Sequence, residues 1–206
     1  MPFIMAGAEL PFYRRGPYPM GMPAQYEKWT VELLDALPES RDRFELIDGE
    51  LYVTPSPGLP HQSFVGRLLT KLLPYTDLVG GCETFVSPSD LWRSPREDNR
   101  IQPDLYVVRL HEGRRPPTPF HLRELLLAVE VESSSSVWTD REVKRRVYLS
   151  EGVAEYWVAD LEARHVTRWR LDGYSEVFTD RIAWRPRADV EPLTIELQPL
   201  FEAALG

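Results

Sequence analysis

The run LLLAVEVE at residues 125–132 constrains the fold more than any other stretch of the chain. A short unbroken block of aliphatic and branched residues suits a central strand covered on both faces. Yet this block carries Glu130 and Glu132 and then gives way to four serines, Ser133, Ser134, Ser135 and Ser136. Taking a carboxylate out of water is costly unless a cation or several hydrogen bonds compensate it. The two acids therefore belong either at a solvated strand tip or against a positive charge. Strand side chains alternate, so Glu130 and Glu132 are expected to share a face with Leu126 and Ala128, with Leu127, Val129 and Val131 on the other. A second apolar run, PDLYVVRL from Pro103, reads as another central strand. If the two are adjacent, Asp104 at its head meets Glu130.

The remaining elements follow from local signals. TVELLDAL places Val31, Leu33, Leu34 and Leu37 at helical spacing behind Thr30, an N-cap residue. RFELIDGELYVT contains Asp48-Gly49, the strongest short hairpin signal, because a type I′ turn needs positive φ at both central residues. In that register Phe44 and Leu46 pair with Val53 and Leu51 on one face, and Glu45 opposes Tyr52 on the other, polar face. The segment after Gly58 reads as an amphipathic helix with Phe64, Leu68, Leu69 and Leu72 inward and His61 in its first turn. TFVSPSDLWR reads as a broken strand pair, and a proline-rich loop through Pro116, Pro117 and Pro119 precedes LLLAVEVE. Thr139-x-x-Glu142 has the form of a capping box opening a basic helix that closes at Gly152. EYWVADL is a strand, HVTRWRLDGYSEVF a hairpin turning at Asp172-Gly173, and LTIELQPLFEAAL a strand followed by a terminal helix. The order predicts an α/β fold: a mixed sheet flanked by helices, with additional hairpins.

Residues 1–27 hold five prolines and read as an irregular arm, leaving residues 28–206 as one domain. The single cysteine, Cys82, allows neither an internal disulfide nor a cysteine zinc site, which fits the cytoplasm. No segment reads as a signal peptide or reaches membrane-spanning length. A net charge of −8 argues against non-specific DNA affinity over the whole surface, so nucleic acid binding would need a local patch. Only three lysines, Lys28, Lys71 and Lys144, stand among 24 basic residues.

Asp104 and Glu130, with a backbone carbonyl such as that of Val131, are the oxygen ligands a hard cation such as Mg²⁺ takes. The alternative is plain: Asp104 caps a turn and the two glutamates are solvated. Lys144 lies beside the Val143/Val147 stripe with Tyr148 on the same flank, so it either faces the sheet or snorkels past the stripe to water. Trp92, Trp138, Trp157, Trp169 and Trp184 are candidates for base stacking or for core positions.

Pro103-Asp104 followed by Glu130-Val131-Glu132 resembles the PD-(D/E)xK nuclease signature. FELIDGEL at 44–51, His61 opening a helix, PDLYVV at 103–108, AVEVESSSS at 128–136, Asp140, Lys144, Tyr148 and GVAEYWVAD at 152–160 resemble, in this order, the Uma2 family, also called DUF820, of restriction-endonuclease-like proteins. The likeness covers residue 40 to the end. It implies a restriction-endonuclease-like core in which Asp104 and Glu130 bind Mg²⁺ or Mn²⁺, acting as an endonuclease on nucleic acid, DNA first; cutting both strands of a duplex needs two sites, so a homodimer is expected. The wider superfamily has lysine at the position of Glu132, and an acid there accepts hydrogen bonds or binds metal but donates nothing. The resemblance moves the lysine role to Lys144, with Glu132 as the other candidate, and makes Glu45, His61 and Tyr148 accessory candidates. The missing lysine and the acidic charge leave a second expectation, a catalytically inactive nuclease fold that binds partners in a mobile-element or defence system.

Overall fold

The computed structural model describes residues 28–206; the arm expected over residues 1–27 lies outside the described residues. Thr30 caps α1 (Val31–Asp35), its hydroxyl accepting the Leu33 N–H. β1 (Arg43–Ile47) and β2 (Glu50–Thr54) form the hairpin, with Asp48 at φ 54° and Gly49 at φ 81°, the two positive values that a type I′ turn demands. Phe44 pairs with Val53, Glu45 with Tyr52 and Leu46 with Leu51, the register expected from the alternation. Phe44, Leu46, Leu51 and Val53 close on Leu34 of α1. The other face, expected to be polar, is buried: Glu45, Ile47 and Tyr52 are all buried, because that face lies against the main sheet.

α2 (Leu59–Val79) buries Phe64, Leu68 and Leu72, with Leu69 half-buried at the edge of the stripe. β3 (Cys82–Val86), β4 (Leu105–Arg109) and β5 (Leu125–Glu132) follow. Of the broken pair expected over TFVSPSDLWR, only the first half is a strand; Leu91 and Trp92 make isolated bridges to Ile101 and His121. A helical stretch from Val137 comes next, π-helical over Thr139–Lys144 and α-helical as α3 (Arg145–Ser150). Thr139 and Glu142 therefore lie inside a helix and do not form a cap. The turn closed by Ser133 and Ser136 starts it two residues earlier.

β6 (Glu155–Asp160), β7 (His165–Arg170) and β8 (Ser175–Phe178) complete a six-stranded sheet of order β3-β4-β5-β6-β7-β8. Only β5 and β6 run parallel, joined by the helical crossover that parallel pairing requires. β9 (Arg181–Trp184), not anticipated from the sequence, pairs with β10 (Leu193–Glu196) before α4 (Gln198–Leu205).

Two cores sandwich the sheet. On one face α2 and α4 pack on Leu105, Val107, Leu127, Val129, Val131 and Trp157. On the other, the hairpin and α3 pack on Tyr106, Val108, Ala128, Tyr156 and Val158. Burial of each leucine or valine among these contributes roughly 1.5–3 kcal/mol. Leu126 departs from the expected alternation. A bulge sets Val107 opposite Leu127 but Val108 opposite Leu125, and the extra residue, Leu126, turns into the α2 core away from Ala128.

Candidate active site

Beyond the bulge the alternation is regular, so Glu130 follows Ala128 onto the face covered by α3 and the hairpin. β4 runs antiparallel beside β5 with Leu105 opposite Val129, which carries Asp104 to the level of Glu130 on that same face. The Asp104 carboxylate reaches across: Oδ2 accepts the Val131 N–H at 2.8 Å and lies 2.9 Å from His61 Nε2 at the start of α2. Oδ1 accepts from Arg43 Nη1 at 2.7 Å. Burial pushes Asp104 up, but the hydrogen bond from His61 and the Arg43 charge overcome it and hold the carboxyl well below the ordinary range.

Glu130 is 0 % exposed. Its Oε1 accepts from Lys144 Nζ and from the Tyr148 hydroxyl, each at 3.0 Å, while Oε2 is buried with no hydrogen-bond partner. Lys144, also 0 % exposed, does not snorkel to water; its Nζ lies 2.8 Å from Glu45 Oε1 and 3.7 Å from Asp140 Oδ1. The π-helical turn sets this geometry. It is pinned by the Tyr156 hydroxyl, which donates to the Asp140 carbonyl at 2.9 Å, and it aims Asp140 and Lys144 into the cluster. Burial works to lower the Lys144 pKa, but Glu130 and Glu45 outweigh it, so the ammonium keeps its proton. Burial, then the neighbouring acids, raise Glu130 well above the ordinary carboxylate range in spite of Lys144. Burial likewise pushes Asp140 up to about 6, and its Oδ1 has no hydrogen-bond partner.

Four buried carboxylates, Glu45, Asp104, Glu130 and Asp140, thus face two fixed cations, Lys144 and Arg43. Glu45 is further fixed by the Gln102 N–H at 2.8 Å. Glu132, on the same face two residues beyond Glu130, is not brought into this cluster. Both its oxygens accept from Arg141, at 2.6 and 2.7 Å, and Arg141 also reaches Asp160 at 3.1 Å.

Sequence reasoning overlooked Arg43, whose only signal is its place two residues before Glu45, and it gave Asp140 no role, although Asp140 stands four residues before Lys144. Trp157 and Trp184 are core residues and Trp169 is buried; Trp138, 51 % exposed, is the one among the five that meets solvent broadly.

Among the described residues no three His, Cys, Asp or Glu groups stand arranged around a common point, because Arg43 and Lys144 intervene. The donor set still suits a hard divalent cation in charge and chemistry. All four acids are oxygen donors, when ionised they outnumber the two cations, and Glu130 Oε2 and Asp140 Oδ1 are buried without hydrogen-bond partners.

A solved structure similar to this chain is that of "a putative nuclease belonging to DUF820" from Anabaena variabilis ATCC 29413, with 18 % identity and a TM-score of 0.66, covering 85 % of this chain and 98 % of that one. At that identity the likeness is one of fold. No curated protein matches. The model of the Uma2 family, described as "Putative restriction endonuclease", matches residues 24–200, a span that contains every member of the acid cluster, and the chain belongs to the Uma2 family.

Proposed function

We propose that this protein is a divalent-metal-dependent endonuclease that hydrolyses phosphodiester bonds of DNA, with Asp104 and Glu130 holding Mg²⁺ or Mn²⁺. One observation carries the reading: Glu130 is fully buried with Oε2 left without a hydrogen-bond partner beside a carboxylate of the neighbouring strand. When bound, the ion supplies positive charge against the phosphate oxygens. Lys144 keeps its proton, so it serves as a donor and a positive charge and not as a base. Asp140, at about 6, has the proton affinity of a group that accepts a proton from water near neutral pH. His61 and Val131 orient Asp104, and Tyr148 orients Glu130. Glu132, saturated by Arg141, holds the end of β5 to the helix. The setting we assign is the cytoplasm, with a homodimer providing the two sites that cutting both strands of a duplex requires.

The test is cleavage of single- and double-stranded DNA and RNA with Mg²⁺ or Mn²⁺. Cleavage by the wild-type protein that falls to background in both Asp104→Asn and Lys144→Met supports the proposal. A second reading, an inactive nuclease fold that binds partners, draws on the Arg43 guanidinium lying on Asp104 Oδ1. Stoichiometric Mn²⁺ binding without cleavage of any substrate would favour it.

A further inference from the structure

We propose that the cavity beneath the proline-rich loop is a binding site for a phosphate group, separate from the carboxylate cluster and independent of its function. The cavity, of about 310 Å³, is lined among others by Trp92, Arg96, Pro119, His121, Arg123 and Glu124. His121 is 7 % exposed, and its Nδ1 accepts the Arg123 backbone N–H at 3.1 Å. In the neutral ring the proton then sits on Nε2, which has no hydrogen-bond partner among the described residues. Burial, aided by the Arg123 charge, lowers the imidazole pKa and keeps the ring in that neutral, donating form.

The two arginines at the cavity lack partners that their neighbours have. Arg93 pairs with Glu151, Arg100 with Asp35 and Arg115 with Glu83. Among the described residues neither the Arg96 nor the Arg123 side chain has a carboxylate within ion-pair distance, and Arg96 rests over the Trp92 ring, 5.6 Å from its centroid. Glu124, the carboxylate in the lining, is already taken by His111 Nε2 at 2.7 Å. Two guanidinium groups without carboxylate partners, beside a neutral imidazole in the lining of one space, repel each other weakly alone and complement a dianion together. A phosphate monoester offers that charge and enough oxygens for planar guanidinium forks.

His121 to Glu124 lead directly into β5, whose first residue, Leu125, precedes Glu130 by five positions, on the order of 17 Å at strand rise. A phosphate held here is therefore a different group from one at the acid cluster. It comes either from a free phosphorylated small molecule or from the 5′ end of a nucleic acid strand.

The test is calorimetric titration of the full chain with inorganic phosphate, then with a 5′-phosphorylated DNA oligonucleotide and its 5′-hydroxyl counterpart. Phosphate should bind the wild type, and Arg96→Ala and Arg123→Ala should each weaken it by about ten- to a hundredfold. Asp104→Asn should leave it unchanged. Tighter binding of the 5′-phosphorylated strand than of both its 5′-hydroxyl counterpart and inorganic phosphate identifies a strand end as the source, and equal binding of the two strands identifies a free phosphate. Both arginines are exposed, so circular dichroism should show both variants folded. No heat with millimolar phosphate, binding unchanged in both arginine variants, or binding abolished by Asp104→Asn would each overturn the site. Absent nuclease activity would not, since the titration with inorganic phosphate and the arginine variants does not depend on catalysis at the acid cluster.

Discussion

Glu130 and Glu132 lie two residues apart on one face of one strand and meet opposite fates. Glu132 is met by a single guanidinium that satisfies both of its oxygens, and Arg141 itself is 34 % exposed in its side chain. Burial lifts the pKa of Glu132, and the bonds from Arg141 work against the rise. Glu130 instead shares one buried ammonium with Glu45 and Asp140, and keeps a buried oxygen that has no hydrogen-bond partner. What separates the two is how completely the cation answers each oxygen, not residue type. Arg141 also reaches Asp160 but fills both Glu132 oxygens and makes that acid a fastener, whereas Glu130 meets its shared ammonium through one oxygen only, and its second oxygen retains affinity for more positive charge.

Removing the two cations in turn tests this contrast most severely. Lys144→Met should cost about 3–5 kcal/mol at pH 7 in urea unfolding, because it strands buried carboxylates. The loss should shrink at pH 5, where Asp140 is already protonated. The contrast weakens if Arg141→Met, which ranks last in size, costs more than about 1 kcal/mol, since its pair is partly exposed and screened.

Next in size is the pH dependence. Asp140 binds its proton more tightly folded, near 6, than unfolded, near 3.9, so it makes stability fall as pH rises through that window, by up to about 3 kcal/mol. Asp140→Asn should remove that fall, so that the variant matches wild type at pH 4 and exceeds it by about 1–3 kcal/mol at pH 7 in thermal unfolding. Asp104 has the opposite sign: with its folded pKa depressed, its contribution is full above the unfolded value and is lost as acid titrates the folded group.

A smaller effect sharpens the comparison at the neighbouring acid. Arg43 occupies Asp104 Oδ1, so Arg43→Ala should tighten Mn²⁺ binding by about tenfold in calorimetry. The same affinity in both proteins would mean that Arg43 and the ion do not compete.

Much of the fold was legible because its signals are local. Asp48-Gly49 fixed the hairpin register, and the alternation in β4 and β5 placed Asp104 and Glu130 on one face. What stayed hidden depends on partners distant in the chain. Nothing in LLLAVEVE announces the bulge that turns Leu126 away from Ala128, since it arises from pairing with β4. The polar face assigned to Glu45 is buried because the main sheet lies against it. Helical spacing alone left Lys144 with two destinations; only the folded chain, with its π turn, puts Nζ between Glu45 and Glu130. Arg43 was overlooked because an arginine at a strand start carries no signal until Asp104 is beside it.

The most direct test of the unsatisfied oxygen of Glu130 as a cation ligand is anomalous diffraction from a crystal soaked in Mn²⁺. A single strong peak within bonding distance of Glu130 Oε2 and an Asp104 oxygen, with the Arg43 guanidinium shifted off Oδ1, is the expected result. Saturating Mn²⁺ that leaves no peak there, with Arg43 and Lys144 still seated on their acids, would contradict it.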